Sequence, residues 1–391
     1  MHITHCSQVL QSACRRGFPC SFLIGCLAGV LATVIWLMSA EPWEILADGQ
    51  YYMMLYEGNP APAPFGYRVL TPLMASLLPC DARTAFGIVT AACLTIASGI
   101  IALYLAESGF RETCVGLFMW LTSFAFIYYA TTYVRADAPM LLMIALFFLL
   151  SKKHVHYLFL AAVLAIGCLA HETMLICLPI LWIDKLLPAG LTGARHYKYS
   201  QLIAISLGVT LVLFASRTLI PVLPARQSYM TGIGGMISYT LAHSGGWMKR
   251  VLRIYASYGP ALLYAITYLV SCRSLRQSWH FWAILSLASG ATFLATDTLR
   301  VMALIYFPVI VYATKHIAEL WSLGRRLAAW VCIALQACYS FIVYGHLRTF
   351  ENSFGWNLTA ALVSCVALVV CLYGLVREGG KVGSPDLAGS S

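Results

Sequence analysis

The sequence predicts an all-α polytopic membrane protein, a bundle of about 12 transmembrane helices. Hydrophobic residues make up 60% of its 391 residues, charged residues only 10%, and the mean hydropathy is +0.79. This composition lies far outside that of soluble domains. No segment is long and polar enough for a separate soluble domain. Residues 1–376 are therefore predicted to form a single transmembrane domain, followed by a disordered cytoplasmic tail at 377–391.

The excess of basic residues indicates membrane orientation rather than a nucleic-acid partner. The formal net charge is +10, but Lys and Arg lie in small clusters between apolar runs, which is the pattern that fixes sidedness in a membrane. We therefore expect no nucleic-acid binding. The fourteen cysteines lie mostly inside apolar runs, without CxxC or Cys/His ligand spacing, and are predicted to pack as small hydrophobic side chains.

The first predicted span runs from Ser21 to Met38. Arg15 and Arg16 precede it and no small-residue cleavage site clearly follows, so we expect an uncleaved helix with a cytoplasmic N-terminus. Apolar length and basic turns then place both termini inside. The later segments, in chain order, are a short re-entrant or interfacial piece at Val69–Leu78 and spans at about Thr84–Leu105, Cys114–Ala130, Pro139–Leu150, one ending at Ala170, one ending at Asp184, Leu202–Leu219, Tyr255–Ser271 and Phe281–Ala295, with three more towards the C-terminus.

The first external loop, residues 41–72, is a candidate catalytic loop. It follows the first span and collects carboxylates, a tyrosine pair, a Pro-rich turn and one arginine. Asp48 is at its centre. If ADGQYY is helical, Tyr51 and Tyr52 lie three and four residues after Asp48 on the same face. Glu44, upstream, is either a second catalytic acid or a solvated charge at a helix start.

Apolar length and basic turns together predict further polar groups at the same outer face. Ionisable residues near the membrane are costly unless they are paired or used, so they are functional candidates. They are Arg68 beside Tyr67, Arg135 with Asp137, His171 with Glu172, Arg226 in a basic and aromatic external loop at 221–254, and Asp297 with Arg300.

Each group also has a structural alternative. Arg68 either clamps a phosphate or neutralises Asp48. Arg135 and Asp137 either form a pair that closes the third span or act in the site, and Asp297 and Arg300, at i and i+3, either form a salt bridge or offer Arg300 to a phosphate. The His171–Glu172 dipeptide lacks the HExxH spacing, so no metal ligands are assigned. The 221–254 loop is an interfacial helix anchored to head groups, a basic cuff for an anionic lipid carrier, or both.

An outward carboxylate near several arginines suits the transfer of a group from a lipid-linked phosphate donor to an acceptor hydroxyl. The carboxylate accepts the proton of the acceptor, and the arginines stabilise charge on the departing phosphate. No GxxxxGK loop is present, so a nucleotide-bound donor on the cytoplasmic side is not supported.

The segments ADGQYY, PFGYRVLTPL, YVRADAP, AHET and TDTLRVMALIYFP resemble those of bacterial membrane glycosyltransferases of the GT-C superfamily. The resemblance implies a GT-C-like bundle with an external re-entrant or amphipathic first loop in the bacterial inner membrane. It also implies a polyprenyl-phosphate-linked sugar donor and a glycan or lipid acceptor. Asp48 would be the base, with Asp137 and Glu44 as further catalytic candidates. The phosphate contacts would be Arg68, Arg135, Arg300 and Arg226. No cofactor is certain, and a divalent metal ion is allowed.

Two features depart from that family, and two other classes compete. Many members carry two adjacent acids at the first motif and a soluble external domain after the membrane core, whereas Gly49 follows Asp48 here and the external domain is absent. A lipid-linked saccharide flippase or small-solute transporter would be equally polytopic, and so would a non-catalytic assembly factor. Charged groups lining a through-passage would favour transport, and their convergence in one outward cavity would favour transfer.

Overall fold

A computed structural model describes the chain in segments. They are residues 18–39, 47–132, 134–135, 137–186, 192, 194–223, 254–255, 257–271, 275–292, 302–345, 363, 366–367 and 369. The fold is all-helical, as predicted, and the described residues contain no β-strand. The α-helices are α1 (Phe18–Ser39), α2 (Ala47–Tyr56), α3 (Leu70–Ser76), α4 (Ala82–Ala106), α5 (Phe110–Leu121), α6 (Phe124–Thr131), α7 (Asp137–Lys152), α8 (Tyr157–Ala170), α9 (Cys177–Leu186), α10 (Tyr199–Leu219), α11 (Pro260–Ser271), α12 (Leu275–Ala291), α13 (Tyr306–Ser322) and α14 (Arg326–Gly345).

Two described helices, α4 and α10, are each long and apolar enough to cross a membrane, and the bent pair α5–α6 would make a third. These helices agree with the predicted membrane character. Several other helices are apolar but only 10–17 residues long over their described parts. The count of about 12 spans stays a prediction.

The predicted span at Cys114–Ala130 is broken. The chain bends by 50° between α5 and α6, where Ser123 accepts a hydrogen bond from the backbone N–H of Phe126 and so starts a new helix. The break frees the carbonyl oxygen of Thr122, which accepts hydrogen bonds from Gln336 and Ser340 of α14. Apolar length alone could not reveal this bend, because the residues that satisfy the freed carbonyl lie more than 200 positions away.

Helices α1 and α4 pack face to face through small residues. A Cβ added to Gly25 would lie 2.6 Å from the carbonyl oxygen of Ser98, and one added to Gly29 would lie 2.8 Å from the Ser98 hydroxyl oxygen. On the facing helix, a Cβ added to Gly99 would lie 2.6 Å from the Sγ of Cys26. Gly25 and Gly29 form a GxxxG pair, which lets two helix backbones approach closely in a membrane.

The turns opposite the first loop join one another at one end of the bundle. Glu107, after α4, forms an ion pair with Lys152 at 2.8 Å and a second one with Lys153. The Tyr197 hydroxyl donates a hydrogen bond to the carbonyl of Val155, and Lys185 donates to the carbonyl of the same tyrosine. These are the turns that the sequence placed in the cytoplasm. We call this region the inner end.

We predict that Gly25→Ala destabilises the protein, although alanine favours a helix over glycine by about 1 kcal/mol. The added methyl group has to push two backbones apart, and overpacking of this kind costs about 1–3 kcal/mol. The midpoint of thermal unfolding of the purified protein in detergent measures the change. Gly208→Ala on α10 is the matched control, because nothing lies within 4 Å of its added Cβ, and it should unfold no earlier than the wild type. Equal midpoints for the two variants would rule out the close packing.

Candidate functional site

The first loop folds back on itself and carries Arg68. The ADGQYY segment is helical and begins α2. The rings of Tyr51 and Tyr52 pack on that of Phe65, with centroid distances of 4.9 and 6.1 Å. Phe65 begins a single 3-10 turn, Phe65–Tyr67, that ends at Arg68. Gly66 is required in this turn, because a Cβ there would lie 2.5 Å from Val222 and 2.6 Å from the carbonyl oxygen of Ala61. Helix α3 follows as a short helix, where the sequence predicted a re-entrant or interfacial piece.

Arg68 is held by a carboxylate from a distant part of the chain. Its Nε donates to Glu172 Oε2 at 3.0 Å, and its Nη2 donates to Glu172 Oε1 at 2.6 Å, which is a bidentate pair. Its Nη1 donates to the Tyr52 hydroxyl at 3.1 Å, and the guanidinium lies 5.2 Å from the Phe65 ring centroid. The Arg68 side chain is 8% exposed and that of Glu172 is 25% exposed. The pair therefore fastens α2 and the first loop to the junction between α8 and α9.

The local charges set the protonation state of Glu172. Burial alone would raise the pKa of its carboxyl group, but the charges of Arg68 and His171 and the hydrogen bonds from Arg68 hold that pKa well below its usual range. Glu172 is therefore a carboxylate throughout the physiological pH range. An imidazolium or a guanidinium close to it gains from this fixed negative charge.

His171 joins Glu172 to a buried acid. It caps the 3-10 helix Glu172–Ile176, which interrupts the apolar run between α8 and α9. Its Nε2 lies 3.5 Å from Asp137 Oδ1, and its Nδ1 lies 3.8 Å from Glu172 Oε2. Its Nδ1 also accepts the backbone N–H of Thr173 at 3.3 Å, which in the neutral ring leaves the proton on the nitrogen that faces Asp137. Asp137 opens α7 and is 1% exposed.

The structure thus brings together Tyr52, Arg68, Asp137, His171 and Glu172, which come from three separate segments. We call them the outer cluster. Arg135, two residues before Asp137, lies at the same junction of α6 and α7, with its guanidinium 5.0 Å from the Tyr128 ring centroid. The contacts described above add Glu172 as a partner of Arg68 and His171 as a neighbour of Asp137. The two pairings that the sequence offered, Asp48 with Arg68 and Arg135 with Asp137, stay predictions.

Other predicted residues lie at the edge of the described region. Asp48 belongs to the first turn of α2, four positions before Tyr52, so the backbone places it one helical turn from the outer cluster. Tyr67 lies in the 3-10 turn beside Arg68. The remaining candidates fall outside the described residues and are Glu44, Arg226, Asp297 and Arg300.

Sequence reasoning missed Arg217. It lies in the last turn of α10, and its guanidinium stacks 4.0 Å from the centroid of the Tyr67 ring. The chain just beyond it pairs with the first loop, since Leu223 exchanges backbone hydrogen bonds with Ala61 and Ala63, each at 3.1 Å. The available signal was an arginine at the outward end of a predicted span, which runs against the usual bias of basic residues towards the cytoplasm.

No group of three or more His, Cys, Asp or Glu side chains with the geometry of a metal site occurs among the described residues. In comparisons with known proteins, no family model, no curated protein and no solved structure matches this chain.

We predict that Glu172→Gln unfolds more easily than the wild type at neutral pH. Removing one partner of a buried bidentate pair costs about 3–5 kcal/mol, because Arg68 keeps its charge without its partner. Since the folded-state pKa of Glu172 lies below the ordinary carboxyl value of about 4.3, its stabilisation is fully present above that pH and is lost as the pH falls further. Thermal unfolding of the two proteins should therefore differ most at neutral pH, and the difference should shrink in acid.

Glu107→Gln is the matched control at the inner end. Partial burial raises the pKa of Glu107, but hydrogen bonds and charges from Lys152 and Lys153 lower it overall. Its side chain is 44% exposed, so water screens the pair and its loss should cost far less. Equal losses of stability in the two variants would contradict the special role of the Arg68–Glu172 pair.

Proposed function

We propose that this protein is a membrane glycosyltransferase. It moves a sugar from a polyprenyl-phosphate donor to an acceptor hydroxyl of a cell-surface glycan or glycolipid, at the outer face of a bacterial inner membrane. The observation that carries the proposal is the outer cluster, in which acidic, basic and imidazole groups from three distant segments meet beside the helix of Asp48. Clusters of titratable groups with strongly shifted pKa values are typical of functional sites.

The distribution of charge supports the sidedness of this proposal. The outer cluster forms where α2 and the junctions α6–α7 and α8–α9 meet, while Lys152, Lys153 and Lys185 lie at the inner end. Basic turns favour the cytoplasm, so the outer cluster then faces the opposite side. A polyprenyl-phosphate donor presents its sugar at that surface, with its chain among or beside the helices.

In the proposed reaction, the Asp48 carboxylate accepts the proton of the acceptor hydroxyl. The acceptor oxygen attacks the anomeric carbon of the donor sugar, a new carbon–oxygen bond forms, and the bond between that carbon and the phosphate oxygen breaks. The electron pair leaves with the polyprenyl phosphate, whose growing negative charge needs cations. Arg135, Arg226 and Arg300 are candidates for this role, with Glu44 as a second acid.

The contacts of Arg68 favour a positioning role. Three of its donor groups are used by Glu172 and Tyr52, so it fixes Tyr52 and thereby the helix that carries Asp48. Asp137 and His171 then help to orient Glu172, because His171 lies between the two carboxylates, 3.5 Å from Asp137 Oδ1 and 3.8 Å from Glu172 Oε2. Such supporting contacts keep catalytic groups in place, and a displacement of about 1 Å can lower the reaction rate about 100-fold.

A flippase or transporter is the competing function, and the described interior argues against it. Between the outer cluster and the inner end, α4, α5, α7 and α13 pack aromatic side chains against one another. Phe148 and Phe307 stack at 4.5 Å, and Trp120 packs on Tyr306 at 4.6 Å, all four being buried. These four side chains are aromatic, whereas a transport path would place charged groups near the midplane.

We predict that Asp48→Asn abolishes sugar transfer by the purified protein while the protein stays folded. Loss of a general base lowers rates by about 10²–10⁴-fold. The assay supplies a panel of polyprenyl-phosphate sugars and a lipid or glycan acceptor, and it follows the release of polyprenyl phosphate.

Asp81→Asn is the matched control. Asp81 caps α4 through Thr84, at 3.1 Å to the backbone nitrogen and 2.6 Å to the hydroxyl, and asparagine caps equally well. Full activity of Asp48→Asn would exclude Asp48 as the base.

A further inference from the structure

The two arginines next to the 3-10 turn of the first loop differ in what they contact. Arg68 is engaged by a carboxylate and a hydroxyl, as described above. Arg217 stacks on Tyr67, and none of the described residues offers it a carboxylate or a hydrogen-bond acceptor. A guanidinium stacked on an aromatic ring has its plane fixed while its N–H donors at the edge stay available. Arg217 is therefore organised to receive an anion.

An apolar row on α10 leads to this arginine. Ile203, Leu207, Leu211 and Phe214 are 48%, 65%, 67% and 66% exposed. Spacings of four, four and three residues, followed by three more to Arg217, keep the row on one helix face. At 1.5 Å per residue, the distance along the helix from Ile203 to Arg217 is about 21 Å. Only 22% of the residues in the most apolar stretch of α10 are buried, so this helix lies at the edge of the described bundle.

We propose that Arg217 and Tyr67 hold the phosphate of the polyprenyl-phosphate donor, with its isoprenoid chain lying along the Ile203–Phe214 face of α10. This inference rests on the proposed transferase function, because it takes the lipid phosphate to be that of the donor. Charge complementarity selects a lipid with an anionic head group. The head group would lie beside the first loop, since Tyr67 adjoins Arg68 in the chain and the backbone of Leu223 bonds to that of Ala61 and Ala63.

The proposal assigns the donor to the α10 edge of the outer cluster. Asp48 and Tyr52 on α2 would then lie across the 3-10 turn from the phosphate, because the Tyr52 ring packs on Phe65 at one end of that turn and Arg217 stacks on Tyr67 at the other. The acceptor would reach the sugar from the side of α2. A bulk phospholipid at Arg217 is the competing occupant, since arginine at a membrane edge commonly reaches the head groups.

Binding of sugar-free polyprenyl phosphate to the full-length protein in phosphatidylcholine nanodiscs tests the proposal. We expect Arg217→Gln to weaken this binding at least tenfold, and Arg217→Lys to weaken it less, because the charge remains while the planar fork is lost. Arg111→Gln is the matched control, since Arg111 also stacks on an aromatic ring, 5.5 Å from the centroid of Trp321, but on a different pair of helices. It should bind like the wild type.

Three outcomes would overturn the proposal. They are unchanged binding by Arg217→Gln, an equal loss in Arg111→Gln, and displacement of polyprenyl phosphate by an equal amount of phosphatidylglycerol, which would mark a site for bulk anionic lipid. Polyprenol without phosphate should not compete with polyprenyl phosphate for binding.

A sugar-transfer assay on the same samples separates the proposed donor site from the proposed transferase function. If the wild type transfers sugar but Arg217→Gln binds polyprenyl phosphate as well as the wild type, the transferase function is supported and the proposed donor site is excluded. If binding depends on Arg217 but the wild type transfers sugar from no donor, the transferase function is excluded and an anionic-lipid site remains.

Discussion

The bidentate pair between Arg68 and Glu172 is the contact on which the outer cluster depends. It joins residues 104 positions apart and fixes the first loop to the break between α8 and α9. Without it, Tyr52 would lose its hydrogen bond from Arg68, and the Glu172 carboxylate beside His171 would lose its bidentate guanidinium. The pair is buried on the arginine side and reaches water on the glutamate side. Its cost in desolvation is offset by the bidentate geometry and by the hydrogen bond from Arg68 to the Tyr52 hydroxyl.

Helix junctions and one broken span are the second requirement of this architecture. Polar groups reach the outer cluster from the α6–α7 and α8–α9 junctions, and backbone groups freed at helix ends and at the α5–α6 bend need hydrogen-bond partners. At the α8–α9 junction, the backbone N–H of Thr173 donates to Nδ1 of His171. At the α5–α6 bend, Gln336 of α14 donates to the Thr122 carbonyl and accepts the N–H of Ala261. One buried amide thus serves two helix ends, which ties the geometry of the bundle to that of its junctions.

Much of the fold was predictable from the sequence, and the pairing in the site was not. Apolar length and basic turns predicted an all-helical membrane protein and a short re-entrant or interfacial piece after Arg68. These signals did not decide whether the ADGQYY segment is helical. The partner of Arg68 could not be predicted, because propensity and periodicity act over a few residues whereas Glu172 lies far along the chain. The bend at Ser123 was missed because an apolar run looks the same whether or not it is broken. Arg217 was overlooked because its importance comes from Tyr67, which only the fold places under it.

The central claim is that the Arg68–Glu172 pair assembles a site for sugar transfer. The most direct measurement is the transfer rate from a polyprenyl-phosphate sugar in a double-mutant cycle of Arg68→Gln, Glu172→Gln and the two together. If the pair acts as a unit, each single variant loses activity and the double variant loses no more than the worse single one. If the two losses multiply, or if the wild type transfers no sugar from any polyprenyl-phosphate donor, the account is contradicted.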